Sequence, residues 1–244
     1  MPTPFYHLNL VSDLRLTAHL PPLLIEQWSA FCFGNIAPDA QTLSGQTRLA
    51  THFFDVPLRD LTPAWLEMFR QFPGLANPTL LPPAQAAFVA GYLCHLALDQ
   101  LWISAIFDPV FGEEAGWSTF QHRLFLHNVL RVYLDRLDWP KLSGHMATTL
   151  KQANPTNWLP FITPHHLTGW RDFVAAQLTD GAASQTVAVF AARMSLTPTD
   201  FESLLQSPLE MQAQLFNHLP LTTLADFRLR GLARCQVVAR QYLT

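Results

Sequence analysis

Phe88–Trp102, FVAGYLCHLALDQLW, is the stretch that decides the fold. It contains no proline, and no charge before Asp99. Its apolar residues run nearly all round, which predicts a helix buried on most sides. Two polar groups break that surface, His95 and Asp99. Four residues apart, they share one helix face, one turn from each other. An imidazole and a carboxylate buried together are costly unless something satisfies them. Either they bond each other or they hold a metal ion, and an ion needs further ligands from elsewhere in the chain.

Outward from this stretch, period-2 alternation is almost absent and 3.6-residue patterning recurs. Helices are predicted near 8–18, 23–33, 62–72, 83–107, 117–137, 139–153, 164–179, 183–194, 198–206, 208–217 and 221–242. Thr62-Pro63, Pro82-Pro83, Thr163-Pro164 and Thr197-Pro198 place proline at first turns. The expected class is all-α, a multi-helix single domain. Residues 34–61, which include GNIAPDAQTLSGQTRLATHFFDVP, form the least helical part before 150. Such a connection inside a compact domain is usually functional. Asn and Pro cluster at 153–163 (ANPTNWLPFIT). That seam separates a helical core, 1–152, which holds the notable polar residues, from a C-terminal layer or subdomain, 153–244.

The chain has 244 residues, 49% hydrophobic and 14% charged, and a net charge of −3. A large core under a sparsely charged surface follows, with room for a homo-oligomer contact. No excess of basic charge points to nucleic acid. No uncharged apolar run reaches the length of a bilayer span. The start, MPTPFYHLNLVSDLRL, lacks the pattern of a signal peptide, so the expected compartment is the cytoplasm. Cys32, Cys94 and Cys235 are widely spaced and suit neither a disulfide framework nor a zinc knuckle.

Metal centres of the zinc type draw imidazole nitrogens and carboxylate oxygens from separate elements. The candidates are His7 ahead of the first helix, Asp39 in GNIAPD, His52 and Asp55 in THFFD, and the His95–Asp99 pair. Each alone has a plainer reading. HxxxD on a helix is most often a hydrogen-bonded pair, His52 beside Phe53 and Phe54 a core histidine, Asp39 a helix cap or Asx turn. Tyr92 and Trp102 read as core. His122 and His127 share a predicted helix but, five apart, not one tight stripe; His127 is a candidate because the 117–137 helix could pack against the 83–107 helix.

Taken together, PFYHL, FGNIAPD, THFFD and GYLCHLALDQLW resemble, in order and spelling, the zinc-dependent phospholipase C family, whose fold relatives include single-strand-specific zinc nucleases. The resemblance covers about the first 107 residues. It implies that His7, Asp39, His52, His95 and Asp99 are zinc ligands. One ion would lie among Asp39, His52, His95 and Asp99, and a second between Asp99 and His7, with the N-terminus as a further ligand. The family's additional histidine, ten residues after the helical one, is Ala105 here. The partner pair of the next helix is also missing, since His122 is followed by Leu126 and His127 by Arg131. One or two Zn²⁺ ions are therefore expected, with the third site lost.

A bound zinc lowers the pKa of its water to about 7 and polarises a phosphoryl oxygen. In the resembled enzymes an aspartate ligand stands where a general base would, and Asp39 matches that place. Asp55, three residues after His52, is expected to fix a ligand imidazole's tautomer. The resulting expectation is a metal-dependent hydrolase that directs water at a phosphodiester or phospholipid head group. The alternatives are a nuclease or nucleotidase on the same fold, and a non-catalytic binding module with a degenerate metal site.

Overall fold

The computed structural model describes residues 1–17, 19–59 and 61–244. Among them no strand occurs and the class is all-α. In chain order the helices are α1 (Pro4–Thr17), α2 (Pro22–Glu26), α3 (Trp28–Gly34), α4 (Gln41–Ser44), α5 (Arg48–His52), α6 (Ala64–Gln71) and α7 (Pro83–Trp102). Then follow α8 (Phe120–Gln152), α9 (Pro164–Ala176), α10 (Thr186–Met194), α11 (Pro198–Leu205), α12 (Pro208–Met211) and α13 (Leu221–Leu243).

The axis of the molecule is α7. Every residue from Ala86 to Asp99 is buried, as the all-round apolar pattern predicts. The helix passes without a break into a π-helical stretch, Ile103–Phe111. By length and composition Pro83–Phe111 could cross a membrane, a span not anticipated from the uncharged runs alone. Its most apolar window is 89% buried inside the fold, which is how the central helix of a helical domain is placed.

Two helices flank α7 most closely, α3 on one side and α13 on another. The α3 crossing is an approach of backbone to backbone. A Cβ at Gly34 would lie 2.0 Å from the Phe88 carbonyl oxygen, and one at Gly91 would lie 2.3 Å from that of Phe31. Only glycine fits at both places. Gly231 of α13 similarly admits the Leu98 side chain, 2.7 Å from where a Cβ would be. The segment after 153 thus closes the same core: α13 covers α7 and α1, and α9 packs on α8.

Three sequence-based expectations change. The first helix begins at Pro4, so His7 lies within α1 rather than before it; Pro4 supplies a helical start with no N–H to lose. Residues 117–137 and 139–153 are one helix, α8, running through Pro140. Proline removes one ladder bond there, and packing against α1 and α9 holds the helix together. The connection 34–61 contains a 3₁₀ turn (Ala37–Ala40) and two helical turns, α4 and α5.

Candidate metal centre

Five sequence-predicted residues from four elements converge. His95 and Asp99 project from one face of α7, and His7 comes from the first turns of α1. His52 ends α5, and Asp39 lies in the 3₁₀ turn. That turn is pinned by Trp170 of α9, whose Nε1 donates to the Ile36 carbonyl at 2.7 Å. Tyr92 anchors α5 from below, its hydroxyl donating to the Thr51 carbonyl at 2.5 Å.

The donor atoms meet at closely similar separations. His52 Nε2 lies 3.3 Å from His95 Nε2 and 3.5 Å from Asp99 Oδ2. Asp39 Oδ1 is 3.6 Å from His52 Nε2, and Asp99 Oδ2 is 3.6 Å from His95 Nε2. On the other side of Asp99, its Oδ1 is 3.4 Å from His7 Nε2. Ligands about 2.0–2.1 Å from a tetrahedral ion stand about 3.3–3.4 Å apart along each edge. The contacts thus match the spacing of ligands around a shared ion better than that of hydrogen bonds.

The tautomers follow from the outer partners. His95 Nδ1 lies 2.8 Å from the Asn35 carbonyl oxygen, which only accepts, so Nδ1 carries the proton. The Thr51 hydroxyl donates to the Arg48 carbonyl at 3.3 Å, leaving its oxygen to accept from His52 Nδ1 at 2.9 Å. Both rings therefore turn Nε2 inward, the two atoms 3.3 Å apart in a dry interior. With both rings neutral these are facing lone pairs, which a metal ion between them relieves; a proton on His95 Nε2, which Asp99 favours, relieves them instead as a hydrogen bond to His52. Further, His7 Nδ1, His7 Nε2 and Asp99 Oδ1 are buried with no hydrogen-bond partner among the described residues. Buried polar atoms are rarely left this way without an ion or water to meet them. The His7 ring stacks flat on that of His95, centroids 4.0 Å apart.

The electrostatics suit a cation. Burial, reinforced by His95, brings His7 down to about 4. Burial and the Arg48 charge likewise bring His52 to about 4, so both rings are neutral at neutral pH, the form in which an imidazole can bind a metal ion. For His95 burial works downward, but the Asp99 carboxylate outweighs it and the pKa is raised. Burial would raise Asp99, yet His95, the His7 contact and Arg48 hold it well below the usual carboxylate range. Asp39 also resists its burial and is brought to about 2, chiefly by the His52 hydrogen bond. Burial pulls the Met1 amine well below its ordinary value, while Asp99 and Asp39 lie close enough to oppose that shift. The described His/Asp groups could hold a metal ion in two overlapping sets, His7–His95–Asp99 and Asp39–His52–His95.

Asp55 stands apart. Helix α5 ends at His52 because Phe53 adopts a left-handed conformation, φ 62°. The chain turns outward, and the half-exposed Asp55 carboxylate pairs with Arg59 at 3.7 Å. The His52 Nδ1 contact expected of it is made by the Thr51 hydroxyl. His127 is also outside the cluster, with its Nε2 accepting from Trp102 Nε1 at 3.0 Å. Tyr92 and Trp102 are fully buried core residues.

Arg48 is the participant that the sequence pattern does not signal. Its Nη2 donates to Asp99 Oδ2 at 2.8 Å, and its guanidinium lies over Phe54, 4.4 Å from the ring centre. Of the five cluster residues only Asp39 reaches the surface, with its side chain 22% exposed against 0–1% for the rest. It opens into a cleft between α8, α9 and α10 that is also lined by Arg131 and Arg193. The chain matches no protein-family model, no curated protein and no solved structure.

Proposed function

We propose that this chain is a zinc-dependent phosphoester hydrolase of the phospholipase C type. One observation carries the reading: the inward-facing Nε2 atoms of His52 and His95 and an Asp99 oxygen lie 3.3–3.6 Å from one another, with an Asp39 oxygen 3.6 Å from His52, close to the spacing of ligands around an ion. Asp39, His52, His95 and Asp99 would hold that ion, and His7 with the second oxygen of Asp99 would serve another. Zinc suits a buried set of two imidazoles and two carboxylates.

When bound, the ion supplies Lewis-acid polarisation of a phosphoryl oxygen and makes water acidic near neutral pH. The chain's own groups do the rest. Asp39 is the ligand at the cleft, so substrate and water arrive on its side. Its pKa of about 2 makes it a weak base, suited to orienting the attacking water by accepting a hydrogen bond. Asn35 and Thr51 lock the two imidazoles in the ligating tautomer. Arg48 offsets the charge of Asp99 and keeps it ionised.

That same Arg48 contact favours a second reading, in which Asp99 is satisfied by a guanidinium and the centre survives as a non-catalytic module. Elemental analysis, followed by turnover of a chromogenic phosphate monoester, a phosphocholine diester and single-stranded DNA, separates the two. Bound zinc with hydrolysis of either small ester supports the proposal. Bound zinc with none of the three cleaved favours the module, and cleavage of DNA alone moves the substrate to nucleic acid.

A further inference from the structure

The cleft over Asp39 has a chemistry of its own. Arg131 of α8 and Arg193 at the end of α10 line it together. No carboxylate among the described residues forms an ion pair with either guanidinium. Arg131 donates one Nη1 bond to Asn128 Oδ1 at 3.0 Å, and its Nε is buried without a hydrogen-bond partner among the described residues. Burial, with Arg193 adding to it against the pull of Asp39, brings the Arg131 guanidinium to about 10, still cationic at neutral pH. Arg193 is exposed at the mouth. Two cations side by side repel, and an anion between them removes that cost. A planar guanidinium pairs best with a phosphate or carboxylate oxygen pair.

The apolar lining gives the second half of the ligand. Trp170 and Phe173 stack with ring centroids 5.5 Å apart and line the same cleft. Phe190 is already covered by Arg131, whose guanidinium sits 4.2 Å from the ring centre. A quaternary ammonium would find that aromatic face taken, two cations beside it, and no carboxylate in the cleft except Asp39.

We propose that the cleft binds a phosphate monoester, its doubly charged phosphoryl group between Asp39 and the guanidinium groups of Arg131 and Arg193, its apolar alcohol part against Trp170 and Phe173. This rests on the hydrolase reading for turnover, though not for binding. In the reaction the water oxygen bonds to phosphorus as the ester P–O bond breaks. One proton of the water ends on the departing alcohol, the other stays on the new P–O oxygen, and hydrogen phosphate is left in the cleft.

The test is calorimetric titration of the full chain, zinc-loaded and metal-free, with benzylphosphonate, its singly charged monomethyl ester and phosphocholine. At about pH 8 the phosphonate carries close to two charges. Benzylphosphonate is expected to bind the zinc-loaded chain roughly tenfold tighter than either competitor. Arg131→Met is expected to weaken it roughly tenfold and exposed Arg193→Met roughly threefold, with zinc content unchanged in both. Equal binding of the three ligands, or Arg193→Met and Arg131→Met variants with unaltered affinity, overturns the proposal. A chain that holds no zinc but still binds benzylphosphonate through Arg131 leaves the cleft assignment standing and removes the hydrolase reading.

Discussion

Asp99 is the residue at which the centre is most exposed to substitution, because both of its oxygens face other members of the cluster: His7 on one side, and His52, His95 and the donating Arg48 on the other. Asp99→Asn and His52→Ala are each expected to lower metal affinity roughly 10- to 100-fold. They should also lower the melting temperature of the metal-loaded protein, because ligand binding at such a site is also folding energy. Metal titration and thermal unfolding with and without chelator check both effects. A separate acid lies buried at Asp135, which accepts from Thr3 and, at 2.5 Å, from Thr186. Burial raises its pKa from 3.8 to about 7, so the folded chain keeps a proton that the unfolded chain releases. Its contribution is intact below about pH 4 and is lost as the pH rises toward 7. Asp135→Asn is therefore expected to stabilise the protein at pH 7–8 by up to about 4 kcal/mol and to do nothing near pH 4. Denaturant unfolding across pH reads this directly. At this scale the sequence showed His95 and Asp99 through their spacing of four. It could not show the Asn35 carbonyl, which every residue type possesses, or Thr51, because the left-handed Phe53 that turns Asp55 away is a tertiary outcome.

At the scale of elements, the crossing of α3 over α7 sets the site. His95 stands one turn beyond Gly91, and its Nδ1 partner is the carbonyl of Asn35, the residue after Gly34. Gly91→Ala forces a methyl to within 2.3 Å of the Phe31 carbonyl oxygen, so the helices must separate. A destabilisation of about 3 kcal/mol or more is expected, together with weaker metal binding. Gly74→Ala, with nothing within 4 Å of the added methyl, is the control and should leave metal affinity unaltered. Chemical unfolding and metal titration of the two variants check it. The buried character of α7 was legible because its apolar residues leave no polar face. The continuity of α8 through Pro140 was not, because it depends on neighbours distant in sequence.

For the whole molecule, the feature that matters is that the C-terminal helix covers α7 and α1, two of the elements that carry the N-terminal site. Helix α13 lies along α7, with Cys94 and Cys235 in mutual contact through the Cys94 Sγ–Cys235 carbonyl distance of 3.5 Å. Arg228 ties it to Asp13 of α1 at 2.6 Å. A chain ending at Pro220 is expected to lose cooperative unfolding and metal binding together, which circular dichroism and metal titration would show. The seam drawn at 153–163 from Asn and Pro composition marks a turn in the chain, and the helices beyond it share the core of those before it. Composition reports where a chain bends and says nothing of what it returns to cover.

The most direct measurement is the number of divalent ions per chain, taken by elemental analysis on protein purified without added metal. One or two ions per chain, predominantly zinc, retained through gel filtration and reduced in the His52→Ala variant, is the predicted result. A metal-free chain that stays folded with His52, His95 and Asp99 intact, and takes up no zinc when it is offered, would contradict it.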